Sequence, residues 1–220
     1  MMERTLEPEL MEDDEQVRVY ARADFAEENQ GFVNLFFASC PEWGGGHVID
    51  IGCGPGDIPI RFARKFPGAS VTGIDASRPM IQLAEEAVKS VKMEDRIRFR
   101  CERFQEVSLQ EPADAAISNS LLHHVPNPFQ FWYKLKHLVK PGSCVLVMDL
   151  LRPESTEAAA AIVSKYAADE PAILQRDFYN SLLAAFTEDE IAAHLAELNL
   201  SRLLIDVPDD RHWVVGGIIY

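Results

Sequence analysis

The sequence predicts an α/β fold: a doubly wound, seven-stranded, mostly parallel sheet with helices on both faces and a reversed, antiparallel last strand. Three observations predict it. Short apolar runs alternate with amphipathic stretches through the middle of the chain, the pattern of a parallel sheet covered on both faces. The apolar runs are of strand length, Cys144 to Met148 among the longest, and none approaches the roughly 20 residues needed to cross a bilayer. The last two runs, Arg202–Val207 and His212–Ile219, are joined by Pro208-Asp209-Asp210, a connection so short that the two strands must run antiparallel.

The elements follow in order. Met1–Gln16 carries Glu3, Glu7, Glu9, Glu12, Asp13, Asp14 and Glu15 and reads as a mobile or loosely docked arm. From Val17 to Phe37 apolar residues recur at three- and four-residue intervals, giving a helical segment with a break expected at Gly31. Pro41 and Gly44-Gly45-Gly46 supply a loop. His47–Ile51 is a strand and Asp57–Phe66 a helix, stopped by Pro67-Gly68. Ser70–Ile74 is the second strand, and Ser77 caps a helix to about Ser90 with Pro79 in its first turn. Arg96–Arg100 is the third strand, with a weak helix expected around Phe104, and Ala113–Ser118 is the fourth. Asn127-Pro128 starts a helix to about Val139, and Pro141-Gly142 turns the chain into a fifth strand, Cys144–Asp149. Pro153–Phe186 is an alanine-rich helical insert. Thr187-Glu188-Asp189-Glu190 is a capping box opening a last helix to about Leu198. The chain thus divides into an arm with cap helices over 1–38 and one domain over 39–220, with the insert at about 153–186.

Composition narrows the function. The 220 residues suffice for one domain with a single core. The net charge of −14, with lysines and arginines scattered, disfavours a nucleic-acid partner. Cys40, Cys53, Cys101 and Cys144 lie far apart with no CxxC, so free thiols in a reducing, cytoplasmic setting are expected. No metal-ligating set and no membrane segment is apparent, and the oligomeric state is left open.

The stretch HVIDIGCGPGDIPIRFARKF, His47 to Phe66, carries the most chemistry. Gly52, Gly54 and Gly56 sit between a strand end and a helix start. Glycine there permits unusual backbone angles and removes the Cβ from a ligand's path, while the free N–H groups opening the helix face the same place. No GK[ST] follows, which excludes a P-loop. A dinucleotide turn has its third glycine one position later. Asp75, closing the second strand in VTGIDAS, can accept hydrogen bonds from both hydroxyls of a ribose, in a nicotinamide site or another adenosine site alike.

The spacing G-x-G-x-G with Asp50 two residues before it resembles motif I of the class I S-adenosylmethionine-dependent methyltransferases. The resemblance runs from about Tyr20 to Tyr220 through VIDIGCGPG, GIDAS, DAAISNSLLHHV, LVKPGSCVLVMD and the final strand pair. It implies S-adenosylmethionine as cofactor, seated on Asp50, Gly52, Cys53, Gly54, Gly56, Asp75 and Ala76, with Met80 beside the adenine and Asn119 and Ser120 at the end of the fourth strand. The family's small residue followed by Asp after the third strand is replaced by Cys101-Glu102-Arg103-Phe104. Glu102 or a backbone group then meets the adenine, Phe104 stacks on it, and Arg103 between them belongs to the same cofactor-binding set. The tetrapeptide N/D-P-P-Y of nucleic-acid amino methylation and the Asp-Asp-Asn metal cluster of the catechol branch are both absent.

Methyl transfer from a sulfonium is an in-line displacement in which the protein chiefly positions the acceptor in a dry pocket. A hydroxyl or ammonium acceptor also needs a base. Ser118-Asn119-Ser120-Leu121-Leu122-His123-His124 ends the fourth strand at the sheet's active lip. His123 is the expected base, because the resemblance places a histidine there in small-molecule branches, and His124 is its neighbour. Tyr20, Arg22, Phe25 and Phe32 in the N-terminal helices, and Tyr166, Arg176, Phe178 and Tyr179 in the insert, are candidates for a cap over a small-molecule substrate. Tyr20, Arg22, Phe25, His124, Arg176 and Tyr179 are the substrate-facing set. The expected activity is methylation of a small molecule, oxygen ahead of nitrogen or carbon. The alternatives are a nicotinamide-dependent oxidoreductase, a protein or RNA methyltransferase, and a non-catalytic protein keeping the fold.

Overall fold

The structure, a computed structural model, describes residues 2–7 and 14–220 apart from the side chains at 14, 15, 21 and 22. Among the described residues there are seven strands: β1 Gly46–Ile51, β2 Ala69–Asp75, β3 Ile97–Cys101, β4 Ala113–Asn119, β5 Val139–Leu150, β6 Leu204–Asp206 and β7 His212–Ile218. They form one sheet in the order β3-β2-β1-β4-β5-β7-β6. All neighbours from β3 to β5 are parallel, while β7 runs antiparallel to both β5 and β6. The order reverses at β1 and β4, which opens a crevice beyond their C-terminal ends.

The helices are α1 Asp14–Arg22, α2 Ala26–Ser39, α3 Asp57–Lys65, α4 Arg78–Ser90, α5 Pro128–Leu138, α6 Thr156–Tyr166, α7 Ala172–Ala184 and α8 Glu188–Glu197. Local chemistry sets their starts. Ser77 Oγ accepts the Met80 N–H at 3.4 Å, Asn127 accepts the Phe129 N–H at 3.1 Å with Pro128 in the first turn, and Ser155 accepts the Ala158 N–H at 3.2 Å. The capping box of α8 is complete: Glu190 N–H donates to Thr187 Oγ1 at 3.3 Å and Thr187 N–H to Glu190 Oε2 at 2.9 Å. Each cap satisfies a donor that the helix itself cannot.

The two faces of the sheet carry separate apolar layers. Phe32, Phe36 and Phe62 anchor the layer of α2, α3 and α4, and Phe131, Trp132 and Trp213 that of α5 and α8. Leu150, Ala159, Val163, Leu182 and Ala185 make a smaller cluster that holds α6 and α7 together.

Several expectations are corrected. The N-terminal helical segment breaks at Ala23–Phe25 rather than at Gly31, because Asp24 Oδ1 takes the Ala26 N–H at 3.0 Å and starts α2 there. Residues 102–112 contain a single turn at Arg103–Val107 rather than a helix, since Phe104 and Val107 both bury into the core. Pro141-Gly142 is not a turn before β5 but a bulge within it, carried between the pairs Ala113–Val139 and Ala115–Cys144. The insert is two helices, parted before Pro171. Cys40 and Cys144, expected free, are joined as a disulfide between the end of α2 and β5, with Cα atoms 6.3 Å apart. Cys53 and Cys101 are free. The expected mobile arm lies in part outside the described residues, but Met2–Glu7 is docked: Thr5 N–H donates to the Leu183 carbonyl at 3.0 Å. Among the described residues, no helix is long and apolar enough to cross a membrane.

Candidate active site

The glycine turn leaves β1 and enters α3 as its sequence requires. Gly52, Gly54 and Gly56 all have φ in the left-handed region. At Gly56, the residue capping α3, a Cβ would lie 2.9 Å from Ala84 Cβ and 3.0 Å from Phe99 Cζ, so the helix packs against this bend only because no side chain is present. A Cβ at Gly54 would meet none of the described residues within 4 Å. That glycine faces open space, where a ligand can reach the backbone.

Asp75 holds the turn in shape. Its Oδ2 accepts the Gly54 N–H at 2.9 Å and its Oδ1 the Ser77 N–H at 2.8 Å. Burial pushes this carboxyl up, and the two backbone donors pull against that. A carboxylate accepting two bonds keeps lone pairs for a ribose. Beside it runs a cleft lined by the strand ends Gly52, Ile74, Asp75 and Ala76, by Glu102, Arg103, Phe104 and Gln105, and by Leu121 and Val125.

Nearby, Asp50 Oδ2 and Asn119 Oδ1 are buried and without a hydrogen-bond partner among the described residues. Buried polar atoms are normally satisfied, so an acceptor-rich pocket of Asp50, Asp75 and Asn119 fits a ligand bringing an ammonium, ribose hydroxyls and positive charge. Burial and then the Asp75 carboxylate push Asp50 up to about 8. Its proton is therefore kept in the fold at pH values where the unfolded chain has lost it. The stabilisation is fully present below about pH 4 and is lost as pH rises through the folded value, at up to about 1.4 kcal/mol per pH unit. Asp50→Asn is expected to flatten the decline of Tm between about pH 5 and about pH 8 relative to the wild type. Parallel curves for the two proteins would contradict the assignment.

Beyond β4 the backbone turns sharply. Ser120 has φ of 55° and donates its N–H to the Met148 carbonyl at 3.0 Å, which launches the 3₁₀ turn Leu122–His124. His123 is 3% exposed, and its ring meets Asp149, 1% exposed, at the end of β5. Asp149 Oδ1 lies 2.5 Å from His123 Nδ1, and Oδ2 accepts the His123 backbone N–H at 3.1 Å. Burial alone would raise Asp149, but His123 and the backbone donors outweigh it and hold the carboxyl below its usual range. The carboxylate needs a donor at Nδ1, so the Nδ1–H tautomer leaves Nε2 as the basic atom.

This pair adjoins the cleft. Leu121 and Val125, which line it, flank His123 in sequence. Tyr20 stands within electrostatic reach of both Asp75 and Asp149, and burial together with those carboxylates pushes its phenol up to about 12.

The other residues named from sequence fall as follows. Phe25 packs on Tyr20 at 5.1 Å between ring centroids, and the side chain of Arg22 lies outside the described residues. Met80 is buried in the first turn of α4, and Cys53 beneath the glycine turn. Phe104 is buried edge-on against Phe131 at 5.8 Å, and Glu102 pairs with Arg100. Tyr179 packs with Phe178 on the α6–α7 cluster. Arg176 points to solvent, paired with Asp177 at 3.0 Å. α1 packs against α4 and α7, with Gln16 Nε2 donating to Asp177 Oδ2 at 2.8 Å.

Two participants carry no signal of these roles in the sequence. Asp149 stands there only as the end of a strand. Glu7 stands there as one acid of a charged arm, yet it reaches His124 Nδ1 at 3.0 Å and His123 Nε2 at 3.4 Å. Arg4 pins that segment down. Its Nη2 donates to the His123 and Val125 carbonyls at 2.8 and 3.0 Å, its Nε donates to the Ala184 carbonyl at 2.5 Å, and its guanidinium lies 3.9 Å from the centre of the Phe186 ring.

Residues 44–192 match the family described as "Methyltransferase domain". A ubiquinone biosynthesis O-methyltransferase of Alkalilimnicola ehrlichii is 33% identical over 124 residues, 56% of this chain and 49% of that protein. A malonyl-[acyl-carrier protein] O-methyltransferase of Priestia megaterium is 32% identical over 99 residues, 45% of this chain and 35% of that protein. The matched segment spans about half the length, or less, of these relatives. Among solved structures, the plantazolicin methyltransferase BamL, in complex with a triazolic desmethylPZN analog and SAH, superposes with a TM-score of 0.70 at 16% identity, covering 91% of this chain and 90% of that one. A SAM-dependent methyltransferase from Aquifex aeolicus gives 0.66 at 16% identity, covering 93% and 98%. The family match and the antiparallel β7 set aside the nicotinamide alternative. Matching that family over most of its length, on a sheet of this order, the chain belongs to the class I S-adenosylmethionine-dependent methyltransferases.

Proposed function

We propose that this chain moves a methyl group from S-adenosylmethionine to a hydroxyl oxygen of a small molecule, with His123 as the base. When bound, the cofactor supplies an electrophilic methyl group on a sulfonium. The glycine turn, Asp50, Asp75 and Asn119 would hold it, and Glu102, Arg103, Met80 and Phe104 stand at the adenine end of the reading. The observation that carries the choice of oxygen is the buried His123–Asp149 pair at the lip of β4 and β5. A hydroxyl is a poor nucleophile until its proton leaves, whereas a carboxylate or neutral amine needs no such help. His123 Nε2 takes the hydroxyl proton and Asp149 stabilises the imidazolium that forms. The O–H bond breaks, the new N–H bond forms on Nε2, and the oxygen keeps the electron pair for attack. The name of one curated relative, an O-methyltransferase of ubiquinone biosynthesis, supports this reading; the malonyl acceptor of the other offers its oxygen as a carboxylate.

Tyr20, Phe25, Tyr179 and the docked Met2–Glu7 segment form the cap over the acceptor side, which excludes water. A net charge of −14 and the acidic groups around the site favour a small acceptor over a polyphosphate chain. The test is transfer of labelled methyl from S-adenosylmethionine to parallel sets of phenols, carboxylic acids and amines. Label on the phenols, lost in His123→Ala, is the expected result. Label confined to carboxylic acids or amines, and untouched by that substitution, would overturn the reading.

A further inference from the structure

Three ligand-type atoms converge beside the His123–Asp149 pair. Glu7, His123 and His124 each offer a ligand atom, and these atoms all lie within 4.8 Å of one another. Glu7 Oε1 is 3.0 Å from His124 Nδ1 and 3.4 Å from His123 Nε2. Metal bonds of about 2.0–2.2 Å to imidazole and carboxylate place neighbouring ligands about 3–3.5 Å apart. Both spacings are therefore those of edges of a coordination polyhedron.

The protonation pattern leaves room for an ion. Asp149 at 2.5 Å takes the Nδ1 proton of His123, so Nε2 faces the Glu7 carboxylate, and those two groups meet with either a second ring proton or a cation between them. A carboxylate on the far nitrogen of a ligating histidine is the usual outer support of such an ion. Glu7 has outer support too: Ser181 Oγ donates to its Oε1 at 3.0 Å. The four contacts of Arg4 set the place of the segment that delivers Glu7. Two imidazoles and a carboxylate suit zinc and its first-row neighbours rather than magnesium or calcium, and three protein ligands leave a position open.

We propose that Glu7, His123 and His124 form a site for a divalent first-row transition cation, and that this ion locks the N-terminal segment over the acceptor side. The ion would occupy the Nε2 lone pair that the methyl-transfer reading assigns to the base. On that reading, and resting on it, the ion inhibits turnover by removing the base and by holding Glu7 where the acceptor must approach.

The test uses the untagged full chain, stripped of metal by chelation and titrated with Co²⁺. The expected result is one equivalent bound with ligand-field absorption in the visible. Glu7→Gln and His124→Gln should each weaken binding at least about tenfold, and excess Mg²⁺ should not displace the cobalt. Zn²⁺ should inhibit the wild type, and Glu7→Gln should need at least about tenfold more Zn²⁺ for the same inhibition. Cobalt held no tighter than magnesium, or held equally by both variants and the wild type, would overturn the site. Zinc inhibition unchanged in Glu7→Gln would overturn the lock. If methyl transfer itself fails, the cobalt titration still decides the site, because it reads no turnover.

Discussion

Asp149→Asn is expected to lower turnover by about 10²–10⁴-fold while leaving S-adenosylhomocysteine affinity nearly unchanged. Asp149 accepts three N–H groups: His123 Nδ1 and the Leu150 backbone on Oδ1, and the His123 backbone on Oδ2. An amide offers only one accepting atom. In either orientation its NH₂ faces a donor, and the imidazole turns or loses the tautomer that exposes Nε2. The negative charge that supports the imidazolium is lost as well. An unsatisfied buried donor costs about 1–3 kcal/mol, so Tm is expected to fall, and turnover is compared at a temperature where both proteins are folded. His123→Ala should cost a similar factor, and the double variant little more than either alone, because the two side chains act as one unit. Full turnover in Asp149→Asn would remove the pair from the mechanism.

Asp75→Ala carries the second large effect, this time on binding. A hydrogen bond to a charged group contributes about 1.5–3 kcal/mol, and each 1.4 kcal/mol is tenfold in affinity. Loss of the ribose contacts therefore predicts at least about 100-fold weaker S-adenosylhomocysteine binding. The turn should also loosen, because Gly54 and Ser77 lose the acceptor that fixes their N–H groups. Asp75→Asn, which keeps one acceptor, should fall between the alanine variant and the wild type. Calorimetric affinities within threefold of the wild type for Asp75→Ala would contradict the assignment.

What was legible in the sequence was what is local. The glycine turn, Ser77, Asn127 and the Thr187–Glu190 box act within a few residues of themselves, and each sits where its chemistry put it. The reversed last strand followed from a short connection. The pairs that make up the acceptor side are not local. His123 and Asp149 are 26 positions apart and meet only because β4 and β5 are neighbours. Cys40 and Cys144 are 104 positions apart and meet only once α2 folds against β5. Glu7 looked like one more acid in a charged arm, and only the anchoring of Arg4 in carbonyls from two distant segments gives it a place. The misplaced break in the N-terminal helices has a smaller cause: Asp24 takes the Ala26 N–H in a local turn just before α2, and the modest helix penalty of a glycine at position 31 does not interrupt the helix that follows.

The central claim is that the bend after β1 and the carboxylate closing β2 together seat a sulfonium nucleoside. Calorimetric titration of the wild-type chain with S-adenosylhomocysteine and, in parallel, with NAD tests it most directly. Saturable one-to-one binding of the first with no heat from the second is the predicted result. Binding of NAD in its place would contradict the account.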